Sequence, residues 1–367
     1  MFDTIVIGAG QAGLAAGYHL QRAGVRFTLL EAGLQAGGSW PNYYDSLTLF
    51  SPARFSSLPG LPLPGDPERY PKRDEVASYL QQYAAHFNLP ITTSAKVASV
   101  ERGDAAFHLV TESGAHYQAR SLVAATGSFH RPNLPQLPGQ TEFRGTVIHS
   151  SAYRNPEPFR GQRVLVVGAR NSAVQIGVEL AQVAQTTLAT REPLRFKPQR
   201  IHGQDIHFWW WLTGFDRVEL ASLPGKVVSQ LSSSGVLDTG KYQAAIAAGR
   251  PDHRPMFQSF TRDGVIWADG REEAVDTVIF ATGYKPNLDF LAPLGAIDDT
   301  GQACQQGGVS LTVPGLYYVG LQGQRSYQSA TLRGVGSDAA HVVRHIAHFL
   351  HVPSAHQRLV FKWRYCC

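Results

Sequence analysis

The chain reads as an α/β protein built from two Rossmann-like dinucleotide-binding units, the smaller inserted into the larger. Three observations predict this. A glycine-rich turn, Gly8-Ala9-Gly10-Gln11-Ala12-Gly13, follows the apolar run Thr4–Ile7 and opens a helical pattern from Leu14 to Ala23. A second turn, Gly168-Ala169-Arg170-Asn171-Ser172-Ala173, follows Val164–Val167 and lies 160 residues downstream. Matching strand ends, Ala125-Thr126-Gly127 and Ala281-Thr282-Gly283, one behind each glycine turn, suggest that both units close with the same device. The expected bounds are 1–152 and 285–367 for the larger unit and 153–284 for the smaller.

In the first turn Gly8 permits the tight bend, Gly10 lets backbone approach a pyrophosphate, and Gly13 lets helix and strand pack closely. The N-terminus of the helix, with Gln11 and Ala12 in the turn ahead of it, offers free N–H donors and a partial positive charge to phosphates. A strand, Val25–Leu30, then delivers Glu31, 23 residues after Gly8, where an acid accepts a hydrogen bond from a ribose hydroxyl. The same count from Gly168 ends on Arg191, which suits a 2′-phosphate. One chain with an acid in one unit and an arginine in the other points to two different dinucleotides, FAD and NADPH. Glu192 beside Arg191 repels a 2′-phosphate, and Thr190 bonds to either nucleotide, so NADH is expected to be accepted as well. Arg170 takes the second-glycine place, where a side chain obstructs the pyrophosphate. Its guanidinium could instead bind a phosphate, but the steric objection predicts weak nicotinamide affinity.

The remaining elements follow in order. The proline-rich stretch 51–71 is extended, and a helix is expected over Asp74–Phe87 with Asp74 as N-cap. Alternation over Lys96–Glu101, Ala106–Thr111 and Ala115–Ala119 predicts a small meander, and a separate strand Ser121–Ala125 follows it. Arg131–Pro138 carries three prolines and reads as an interdomain linker. The last unit ends with a strand, Leu316–Gly320, and a helix from about Ser329 to Leu350. The start of that helix, around Thr331, suits the pyrimidine edge of a reduced flavin, an ordinary polar helix start being the equal alternative.

Composition excludes several classes. With 367 residues and 43% hydrophobic content the chain can bury a large core, yet no run is long enough to span a bilayer. The net charge of +5 is scattered, so no nucleic-acid partner is expected. Three cysteines, two of them terminal, argue against a disulfide framework. The N-terminus enters a core strand almost at once, which leaves no room for a signal peptide, so the expected location is cytoplasmic. His202 and His207 lack a partner at metal-ligand spacing, and no metal site is expected. The aromatic run Trp209-Trp210-Trp211 is read as buried packing or a partner contact, with a substrate entrance or membrane contact as the alternative.

Phe143, Gly145, His149 and Tyr153 fit F-x-G-x-x-x-H-x-x-x-(Y/F) just ahead of the second glycine turn, and Gly37-Gly38-Ser39-Trp40 fits Gly-Gly-x-Trp. In this combination the chain resembles the class B flavoprotein monooxygenases, in their flavin-containing monooxygenase branch of short bacterial type. The resemblance implies FAD along Gly38, Ser39 and Trp40, with Ser51, Thr126 and Thr331 nearby and Thr282 and Gly283 beside the nicotinamide. It implies that NADPH reduces FAD and that O2 gives a C4a-hydroperoxide. A soft nucleophile, a sulfide or an amine, then takes one oxygen atom. The cofactor carries the chemistry, so no acid–base dyad is expected, and His149 is read as structural. Phe50 stands at the catalytic place of a family asparagine; a phenyl ring donates no hydrogen bond, which implies partial uncoupling. The partners implied are a small-molecule substrate and O2, with a homodimer compatible. Two rivals stay open: a thiol or metal reductase working through Cys366-Cys367, though no C-x-x-C pair is present, and a flavin redox sensor.

Overall fold

The computed structural model describes residues 1–224 and 235–351, and the Cys366-Cys367 pair lies outside them. The larger unit is built on a nine-stranded sheet. At its centre Phe2–Ile7 runs parallel to Phe27–Leu30 on one side and to His116–Ala124 on the other, with Leu316–Tyr318 beyond. Ile5, Val6 and Ile7 are buried without alternation, as a parallel strand covered on both faces requires. Helices Gln11–Arg22 and Val335–His351 cover one face through Leu14, Leu20, Val342 and Ile346. Leu288, Leu291 and the meander cover the other.

The meander differs from expectation in its third strand. His116–Ala124 is one nine-residue strand rather than two. Its first half pairs antiparallel with Phe107–Thr111, and its second half pairs parallel with Phe2–Ile7. No glycine or proline interrupts Ala119-Arg120-Ser121, so nothing ends the strand between its two roles.

The smaller unit has five parallel strands in the order Asp252–Pro255, Gln185–Thr190, Arg163–Val167, Thr277–Phe280, Thr146–His149. The last of these lies ahead of the expected start at 153, so the smaller sheet begins earlier than the spacing of motifs suggested. Arg131–Pro132 pairs antiparallel with Tyr284–Lys285, which joins the outgoing and returning connections into one ribbon. Arg131 and Asp289 add an ion pair at 2.7 Å across it.

Two helix starts also move. The helix expected at Asp74 begins at Arg73, and Glu75 Oε2 accepts from the Lys72 N–H at 2.8 Å, which leaves Asp74 in the first turn rather than at the cap. Tyr79 and Tyr83 of this helix pin the proline-rich stretch: their hydroxyls donate to Leu61 O at 2.7 Å and Pro59 O at 2.6 Å. The final helix begins at Val335, six residues after the expected start. The chain folds back so tightly before it that a Cβ on Gly334 would lie 1.9 Å from Gln328 O, and Ala330 holds a left-handed φ of +68°. Both break the helical pattern that the side chains alone suggest.

Candidate functional site: two dinucleotide clefts

The first glycine turn has the predicted geometry. Gly8 has φ +104°, and a Cβ there would sit 2.7 Å from Ala125 O. A Cβ on Gly13 would meet Gly8 O at 1.9 Å. Gly38, at φ +59°, faces Gly10 so closely that a Cβ on it would lie 2.9 Å from the Gly10 Cα. Two glycines thus meet and leave a cradle walled by backbone, which suits a pyrophosphate. Ala12 contributes backbone alone, since its side chain is packed against Gly320.

Glu31 is buried at the end of its strand. Its Oε2 accepts from the Ala9 N–H at 2.6 Å and its Oε1 from the Gly33 N–H at 2.8 Å. A carboxylate offers about four acceptor positions, so two remain for ribose hydroxyls. Gln11 ties three distant segments together: its Nε2 donates to Ala330 O at 2.6 Å, and its Oε1 accepts from Trp40 Nε1 at 2.9 Å. A left-handed alanine costs roughly 1–2 kcal/mol, and the bond from Gln11 helps hold it. Ser39 hydrogen-bonds Tyr43 OH at 2.9 Å, and Ser51 bonds Ser56 at 2.8 Å. Thr331 donates to Gln328 O at 2.5 Å and accepts from the Gly334 N–H, so its hydroxyl closes the turn before the final helix.

The second turn repeats the first. Gly168 has φ +146°, and a Cβ on it would lie 2.5 Å from Ala281 O, as Gly8 meets Ala125 O. Arg170 has an extended backbone that any residue adopts, and its side chain is exposed. Its charge acts on Tyr327 of the larger unit, where it opposes the burial that raises that phenol. The turn therefore faces the segment that leads to Ala330. Asn171 and Ser172 open the helix Asn171–Leu180, and Asn171 Oδ1 is buried with no hydrogen-bond partner, an acceptor left for a ligand donor. Arg191 is exposed just past the strand Gln185–Thr190, while the Thr190 hydroxyl is engaged with His253 Nε2 at 2.9 Å.

The two strand-end threonines hold the connections. Thr126 Oγ1 donates to Asn287 O at 3.1 Å, and Thr282 Oγ1 donates to Asn133 O at 2.5 Å. Gly283 O accepts from the Asn133 N–H at 3.0 Å and from His149 Nε2 at 2.9 Å. His149 Nδ1 accepts from the Ser151 N–H, so Nε2 carries the proton, and burial keeps the imidazole neutral by lowering its pKa. At the end of the same motif Tyr153 OH donates to Glu179 Oε2 at 2.7 Å, and Arg154 donates to Asn42 O and Tyr43 O. The motif thus links the smaller unit to the loop that follows Trp40.

Phe50 is 39% exposed, and its ring stacks on His207 of the smaller unit with centroids 6.0 Å apart. Here the structure corrects an expectation, because His207 belongs to a buried acid–histidine pair. Asp205 Oδ1 accepts from His207 Nδ1 at 2.6 Å and from the His207 N–H at 2.8 Å, and Asp205 Oδ2 accepts from Tyr70 OH at 2.7 Å. Burial alone raises the Asp205 pKa, but these bonds outweigh it and hold it below the usual range. Burial lowers His207, against the pull of Asp205. The available signal was Asp205-Ile206-His207 at the start of an aromatic helix, where an N-cap aspartate lies within reach of the residue two on. Of the three tryptophans on that helix, Trp210 packs against Tyr327 while Trp211 is 49% exposed.

Comparison with known proteins places the chain. Residues 5–207 match the family described as pyridine nucleotide-disulphide oxidoreductase. An oxidoreductase named CzcO-like from Geobacillus kaustophilus is 37% identical over 94% of this chain and 98% of its own. The indole-3-pyruvate monooxygenase YUCCA1 of Oryza sativa is 30% identical over 94% and 91% of the two chains. The solved flavin-containing monooxygenase of Stenotrophomonas maltophilia superposes with a TM-score of 0.82 at 33% identity, over 95% of this chain and 98% of that one. Such enzymes use FAD and NAD(P)H.

Proposed function

Because the chain belongs to the pyridine nucleotide-disulphide oxidoreductase family and is a flavin-containing monooxygenase, we propose that it oxygenates soft nucleophiles, sulfides foremost and amines second. One atom of O2 bonds to the substrate sulfur. The other leaves as water, with two electrons from NAD(P)H and one proton from solvent completing the balance.

The observation that supports the reading is the pair of glycine turns at the ends of parallel strands, one followed 23 residues later by Glu31 and the other by Arg191. FAD is assigned to Gly8, Gly10, Gly13, Glu31, Gly38 and Trp40, and the nicotinamide dinucleotide to Gly168, Asn171, Ser172 and Arg191. The flavin supplies oxygen activation when bound. The chain supplies position through Gln11, Trp40 and Ala330, and it presents no donor at Phe50. NADPH is the preferred reductant, with NADH also used, since Glu192 offsets part of the Arg191 charge. Among the described residues Cys304 is the one cysteine, so no thiol pair there supports a reductase.

The test is oxidation of methyl p-tolyl sulfide under 18O2 with NADPH, read by mass spectrometry. The expected sulfoxide carries one 18O atom, alongside hydrogen peroxide from uncoupled turnover. NADPH consumption with no labelled sulfoxide or N-oxide would overturn the monooxygenase reading.

A further inference from the structure

A cavity of about 730 Å³ opens between the aromatic helix of the smaller unit and the segment around Ala330. Its lining includes Gln328 and Arg333, on either side of Ala330 and hence of its bond to Gln11, and Arg54 and Phe55, a few residues past Phe50. The cavity therefore borders the place assigned to the flavin edge. Phe55 and Trp211 give it aromatic surface.

Most of its charge is paired, and one arginine is not. The lining holds four arginines (Arg54, Arg217, Arg325 and Arg333) against two acids, Asp216 and Glu219. Both acids are already taken: Asp216 Oδ2 binds Arg333 at 2.9 Å and Glu219 binds Arg325 at 2.7 Å. Arg325 also reaches Asp338 at 3.5 Å, and Arg54 pairs with Glu68 at 2.9 Å. Arg217 makes no ion pair among the described residues. Asp216 Oδ1 has no hydrogen-bond partner but is buried, so the charge left facing an entering ligand is that of Arg217. A carboxylate meets Arg217 uncompensated, with its planar, permanently charged fork.

We propose that this cavity receives the substrate and that the substrate is an anionic aromatic thioether, a sulfide whose body also carries a carboxylate. The proposal rests on the monooxygenase reading and narrows it, since it sets the amine class aside.

Three probes that share a phenylthio group separate the charges: (phenylthio)acetate, methyl phenyl sulfide and 2-(phenylthio)ethylammonium. Their affinities for the oxidised holoenzyme are read from tryptophan fluorescence, with Trp211 in the wall, and their sulfoxides are read by chromatography. The acetate is expected to bind about tenfold more tightly than the neutral sulfide, the ammonium least, and the spread to shrink with added salt. Arg217→Gln, at an exposed position, is expected to remove most of the acetate's advantage and leave the neutral sulfide unchanged. Equal binding of anion and cation, or an equal loss for all three probes in the variant, would overturn the charge selection while sulfoxide from the neutral probe kept the monooxygenase reading intact. The expected ranking with no sulfoxide from any probe would overturn the proposal through that reading instead.

Discussion

Replacing Asp205 tests how the smaller unit is fastened to the larger one. In Asp205→Ala the helix Ile206–Thr213 loses its N-cap, which costs about 1 kcal/mol. His207 is 1% exposed on its side chain, so its ring N–H is left without a partner and without water, at about 2 kcal/mol. Tyr70 is half-buried and turns to solvent at a smaller cost. The sum is about 3–4 kcal/mol, confined to one region. Asp205→Asn keeps an oxygen for the cap and offers an amide to Tyr70, so about 1 kcal/mol is expected. Hydrogen exchange of peptides covering 199–213 checks this directly, with protection falling in the order wild type, Asn, Ala. Bound FAD should stay stoichiometric in both variants, because Gly8–Gly13 and Glu31 lie in the other unit. Wild-type protection in Asp205→Ala, or an asparagine as damaging as the alanine, would refute the reasoning.

Other outcomes follow from the same geometry. Gly13→Ala places a methyl 1.9 Å from Gly8 O and should yield apoprotein, whereas Gly168→Ala, 2.5 Å from Ala281 O, should keep FAD and lose most reduction by NADPH; flavin absorbance and anaerobic bleaching separate the two. Arg191→Ala should raise the KM for NADPH about tenfold and leave that for NADH nearly unchanged, as steady-state kinetics with both reductants would show. Arg170→Gly should lower the KM for NADPH, since its extended backbone needs no side chain and glycine caps helices well; an unchanged or higher KM would count against the steric argument. Acid should destabilise the fold: burial holds His19, His149, His207 and His341 below 6.5, His341 at about 4. The unfolded chain takes up protons in that window that the folded chain refuses, so urea midpoints should fall as pH drops from 6.5 towards 4.

What was legible in the sequence was local. Both glycine turns, their strands and the count to Glu31 and Arg191 depend on residues within one βαβ unit, where spacing dictates geometry. The other features depend on chain meeting chain. Tyr70 and Asp205 lie 135 residues apart, and Gln11 and Ala330 lie 319 apart; no period or motif announces either bond. The start of the smaller sheet was missed because Thr146–His149 is only four residues long and precedes the second glycine turn, although Pro138-Gly139 and Gly145 set it off from the linker. The final helix was read too long because no side chain around Ala330 and Thr331 signals a break, while the backbone at Ala330 is left-handed. His207 was weighed with His202 only as a metal ligand and Asp205 was not weighed at all, so the bond between Asp205 and His207 went unnoticed.

The two threonine clasps have a mechanical consequence. Each threonine at a strand end grips the chain of the opposite passage: Thr126 the returning one at Asn287, Thr282 the outgoing one at Asn133. Because the two passages form a single ribbon, swinging the nicotinamide-binding half about it strains both grips at once. Slack in one cannot be taken up by the other. The angle at which the two nucleotide sites are presented to each other is therefore tied to two threonine hydroxyls as well as to the backbone of the ribbon.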